Sequence, residues 1–140
     1  MGEIKITLET LYDILRNEKK REDLQPLDSS FFKDVVDYVK EKEALFKSKQ
    51  ESSELFAIAE RDKLEYELKN IKRILREIYE KREKKILDIA MNKSRTGSNI
   101  IDTSAMLREE KEFYQQLVQR LDDCRDAHRC GTRQREQLLF

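Results

Sequence analysis

Apolar residues along this chain recur three and four positions apart, and strict alternation is confined to residues 3–6, which read as a short extended lead-in. Leu8, Leu11, Tyr12 and Leu15 share one helical face behind Thr7, whose hydroxyl suits an N-cap, so the spacing predicts a first helix over 8–22. Pro26 then biases Gln25 away from the helical region and enforces a break. A second helix is expected over 29–47, capped by Asp28 or Ser29, with Phe31, Phe32, Val35, Val36 and Val39 on its buried face. Leu11, Leu15, Phe32 and Val36 are the expected anchors of these two helices.

Residues 53–91 contain no Gly or Pro. Within them Leu64, Leu68, Ile71, Leu75 and Ile78 step by four and three, the signature of a heptad seam. The pairs Glu65–Lys69, Glu77–Lys81 and Glu80–Lys84 follow the acid-first order that supports a helix. A break at 92–102 contains Gly97 with Ser and Asn. Thr103 or Ser104 is then expected to cap a fourth helix over 105–124, with Leu107, Phe113, Tyr114, Leu117, Val118 and Leu121 on its apolar face. Residues 126–140 show mixed charge without periodicity and are expected to form a disordered tail. The expected fold class is therefore all-α: a helical bundle of about four main helices, one of them very long, filling a domain over 1–125.

The third helix implies a partner. At 1.5 Å per residue it would run about 57 Å, whereas a compact domain of this size is only about 37 Å across. Glu80, Lys81, Arg82, Glu83, Lys84 and Lys85 leave no apolar face for more than a turn, and Ile86, Leu87, Ile89, Ala90 and Met91 follow. The expectation is a solvated neck between two apolar sections. The seam Leu64, Leu68, Ile71, Leu75 and Ile78, joined by Phe113, Tyr114, Leu117 and Leu121, is expected to serve both the core and a subunit interface.

Composition agrees. Charged residues make up 41% and hydrophobic ones 38%, a balance suited to long exposed helices rather than a compact enzyme. The 29 basic and 29 acidic residues cancel, so no global field draws the chain to nucleic acid or membrane. No apolar run approaches a membrane span and the start lacks a signal-peptide layout, so an intracellular compartment is expected.

Catalytic chemistry finds little footing. The one His, His128, lies in the expected tail, and no Gly-rich phosphate loop exists because Gly97 and Gly131 stand far apart. Cys124, His128 and Cys130 are too few for a structural zinc site, and their spacing fits no standard zinc module. Neither catalytic residues, cofactor, metal nor small-molecule substrate is expected. Nucleic-acid binding is a better alternative: Lys69, Lys72, Arg73, Arg76, Lys81, Arg82, Lys84 and Lys85 form a basic stretch, although Glu77, Glu80 and Glu83 interrupt it. A generic coiled-coil adaptor is the other.

The stretch from Leu11-Tyr12-Asp13-Ile14-Leu15-Arg16 through Gln25-Pro26-Leu27, with Phe31-Phe32 and Tyr38-Val39 after it, resembles the opening of a GINS-complex subunit. Met106-Leu107-Arg108-Glu109-Glu110-Lys111-Glu112-Phe113-Tyr114 resembles the start of the last helix of that family's helical domain. The order of segments is similar to the archaeal larger subunit and its two eukaryotic relatives. The resemblance implies a non-catalytic replication factor, placed at the fork in the cytoplasm of an archaeon or the nucleus of a eukaryote. It further implies tetramers, of this chain alone or with a sister subunit. The implied partners are the MCM helicase, a Cdc45/RecJ-like protein and, in archaea, primase and polymerase. Subunits of this type continue into a small β-rich domain. Here only residues 126–140 follow, without a strand pattern, so a helical-domain fragment or variant is expected.

Overall fold

The structure, a computed structural model, describes residues 5–50, 54–98 and 100–138, with side chains as far as Gly131. Four helices make up the described chain: α1 (Leu8–Lys20), α2 (Phe31–Gln50), α3 (Leu55–Thr96) and α4 (Arg108–Leu138). No strand occurs among the described residues. The fold is all-α, and its long helix, α3, has 42 residues. The chain divides into two compact units, Met1–Arg82 and Glu83–Phe140, and α3 contributes to both.

In the first unit, Thr7 takes an extended conformation and its Oγ1 accepts the Thr10 N–H at 3.1 Å, starting α1 as the sequence predicts. One turn-by-turn stripe of α1, Leu11, Leu15 and Glu18, is buried. The chain leaves the helix at Arg21, and Leu24 and Gln25 turn inward ahead of Pro26. Asp28 then organises the entry to α2. Its carboxylate accepts both the Ser30 N–H and the Ser30 Oγ at 3.1 Å, and its carbonyl accepts the Phe31 N–H. These bonds favour the ionised form and hold the Asp28 carboxyl below the usual carboxylate range.

Helix α2 buries Phe31 and Val35, whereas Phe32 and Val36 are 40% and 48% exposed. This corrects the expected anchors: both pairs have helical spacing, and the one lying a residue earlier faces inward. Ion pairs set α2 antiparallel to α3. Lys42 bonds Glu67 at 3.3 Å and Lys49 pairs with Glu60, so residue number rises on one helix as it falls on the other. The α3 side of this core is Leu68, Ile71, Ile74 and Ile78, with Ile71 and Ile74 wholly buried.

The second unit buries Ile86, Ala90, Met106, Leu107 and Tyr114. Gly97 ends α3 at φ 64°, and its N–H returns to the Lys93 carbonyl at 2.9 Å. This is the left-handed cap that glycine adopts without a Cβ clash. Ser94 Oγ donates to Asp122 of α4 at 2.8 Å. The start of α4 lies later than expected. Asp102 takes the Ser104 N–H in a turn of its own, and Glu110 reaches back from the first helical turn to accept the Leu107 N–H at 2.8 Å, one half of a capping box.

The expected disordered tail is corrected: α4 continues to Leu138. Lack of apolar periodicity is not lack of helicity, and residues 126–138 are rich in Arg and Gln, with Gly131 the one strong helix-weakening residue.

Candidate functional site

Each residue of the expected seam has a definite place. In the first unit Leu68, Ile71 and Ile78 are buried, and Leu64 and Leu75 half-buried. Ile74, which the four-and-three count passed over, is as buried as Ile71. The buried stripe of α3 therefore follows the expected positions at Leu68, Ile71 and Ile78 and departs from them at Ile74, which takes the place of Leu75. In the second unit Tyr114 is buried, Leu117 and Leu121 half-buried, and Phe113 is 42% exposed. Burial pushes the Tyr114 phenol above its ordinary pKa.

The run 80–85 contains a buried polar feature that sequence reasoning missed. Arg82 is not solvated. Its side chain is 3% exposed, and its Nη1 donates to Glu18 Oε1 at 2.9 Å and to the Gln25 carbonyl at 2.8 Å. Glu18, whose side chain is fully buried, accepts the Gln25 N–H through its other oxygen at 3.2 Å. Gln25 Nε2 in turn donates to the Ile14 carbonyl at 2.7 Å. The end of α1, the turn before Pro26 and the middle of α3 are thus tied together. Four-residue steps place Arg82 in line with Ile78, so the buried stripe extends into the charged run instead of stopping before it. Every partner here is a carboxylate, carbonyl or amide already engaged, an arrangement that fixes geometry and offers no free acid or base.

Large apolar side chains are left uncovered elsewhere in the first unit. Leu55 and Phe56, at the start of α3, are 88% and 74% exposed, and Leu45 near the end of α2 is 43% exposed. Antiparallel pairing of the two helices puts these three toward the same end of the α2–α3 hairpin. Phe32 and Val36 lie one turn apart on α2.

On α4, Cys124 and Cys130 are free and exposed. Leu121, Cys124, Arg125, His128 and Arg129 line a shallow concavity, in which Arg125 Nε has no hydrogen-bond partner among the described residues. No group of three or more His, Cys, Asp or Glu is placed to hold a metal among the described residues, and no described helix is long and apolar enough to cross a membrane. No family model, curated protein or solved structure matches the chain.

Proposed function

We propose that this chain is a non-catalytic assembly subunit of the GINS type, a helical scaffold that oligomerises and serves as an accessory of the replicative helicase. The observation that carries the reading is the exposure of Leu55 and Phe56 at the start of α3, 88% and 74%, with Leu45 of α2 also 43% exposed. Water-exposed side chains of this size favour association, because covering one of them stabilises by about 1.5–3 kcal/mol. Half-buried Leu64, Leu75, Leu117 and Leu121, with exposed Phe113, have further apolar area to give to a neighbour. The motif resemblance at 11–39 and 106–114 supplies the particular family, and the four-helix order with one long third helix is compatible with it.

On this reading the partners are a second copy or a sister subunit, then the MCM helicase and a Cdc45/RecJ-like protein. Co-purification from source cells, with the captured proteins identified by mass, tests it. Recovery of a sister subunit together with the helicase supports the proposal. A parallel homodimer with neither partner would favour a generic coiled-coil adaptor instead.

A further inference from the structure

The outward face of α3 opposite its buried stripe has a composition that the neutral net charge conceals. Tyr66, Lys69, Arg73 and Arg76 recur at three- and four-residue steps along one strip, with Lys72 and Tyr79 beside it, while Leu68, Ile71, Ile74 and Ile78 face the core. Between the two tyrosines the sequence has two carboxylates, Glu67 and Glu77. Both are drawn to neighbouring helices: Glu67 binds Lys42 of α2 at 3.3 Å, and Glu77 binds Lys19 of α1 at 3.5 Å. Glu67 and Glu77 are thereby drawn to the flanks, and between the tyrosines the exposed face keeps Lys69, Lys72, Arg73 and Arg76, bounded by the exposed carboxylates Glu65 and Glu80 at its two ends.

Arg73 and Arg76 are exposed. Lys69 and Lys72 pair with Glu65 and Glu43 only at 3.6 Å, with lysine side chains 76% and 61% exposed. Such surface pairs are worth little and exchange readily for another anion. Tyr66 and Tyr79 are 69% and 61% exposed, lie about 20 Å apart along the helix and flank the cations from opposite sides of the strip.

We infer that this strip of α3 binds single-stranded nucleic acid, the four cations contacting consecutive phosphates and the two tyrosines stacking on unpaired bases. One row of cations on one helix suits one backbone. Exposed aromatic rings gain from bases that a duplex keeps stacked inside. The inference goes beyond the assembly role and stands or falls separately from it.

Fluorescence anisotropy with a labelled oligothymidylate of about 15 nucleotides, titrated with the full chain at low salt, tests it. Saturable binding is expected, with log K falling against log salt at a slope near −3 for four phosphates at about 0.7 each. Arg73→Glu with Arg76→Glu should weaken binding at least about tenfold and flatten that slope by about half. Tyr66→Ala with Tyr79→Ala should weaken it about tenfold and leave the slope unchanged. All four positions are exposed, and unaltered circular dichroism of each variant shows that the fold is kept. Absence of saturable binding, or equal affinity of both variants and the parent, would overturn the inference. So would binding of a duplex of the same length, or of a polyglutamate peptide, as tight as that of the single strand.

Discussion

Arg82 and Glu18 lie at 3% and 0% side-chain exposure, where a charge without its counterpart is strongly penalised, and each satisfies the other at 2.9 Å. Replacing one partner leaves a buried charge uncompensated, which costs about 3–5 kcal/mol, whereas replacing both with apolar residues of similar volume is far less costly. Urea denaturation of Arg82→Met, Glu18→Leu and the double variant should therefore give two strongly destabilised singles and a double well short of their sum. Asp28 and Asp102 act on a different axis. Ser30 hydrogen bonds lower the Asp28 pKa, through its N–H first, and Ser104 hydrogen bonds lower that of Asp102, through its hydroxyl first. A carboxyl with a depressed folded pKa contributes stability above its unfolded value, about pH 4, and loses it as pH falls through the folded value. Asp28→Asn and Asp102→Asn should thus weaken the protein at neutral pH and reduce its further loss of stability in acid, as followed by thermal melts from pH 7 to pH 2. Residue identity explains what was legible here. Thr7 announces its cap because the bonded N–H lies three residues on. Glu18 and Arg82 are 64 residues apart and each sits among like-looking charges, so nothing local marks them.

Among the elements, periodicity located all four helices but could not choose between adjacent faces. Phe31-Phe32 and Val35-Val36 offer two apolar stripes one residue apart, and only packing against α3 selects the earlier. The same limit hid Ile74 behind the more regular Leu75. The length of α4 was missed because an exposed helix end needs propensity, not an apolar face. Two glycines distinguish an end from a middle. Gly97 terminates α3 at positive φ with open space around it, so Gly97→Ala strains the backbone by about 1 kcal/mol although nothing is struck. Gly131 lies within α4 without positive φ and also faces open space, so Gly131→Ala should gain up to about 1 kcal/mol of local helix stability. Thermal melts should show the first substitution lowering the midpoint, and circular dichroism should show the second raising helicity.

For the whole molecule, apolar periodicity revealed where large side chains occur but not which of them the chain itself covers. Leu68, Ile71 and Ile78, once candidates for a shared seam, are taken up by the first unit's own core, while Leu45, Leu55 and Phe56 are left outside. On the proposed reading, association falls to the end of the α2–α3 hairpin rather than to the heptad stripe. Multi-angle light scattering across a concentration series, on the parent chain and on a Leu55→Glu, Phe56→Glu variant, tests this most directly. The expected result is a tetramer, with the mass of four 16.8 kDa chains if it forms alone or with two of them replaced by the sister subunit, and a variant that dissociates while keeping its helicity. A parent that stays at one chain's mass at every concentration, alone and with every co-purifying subunit, would contradict the account.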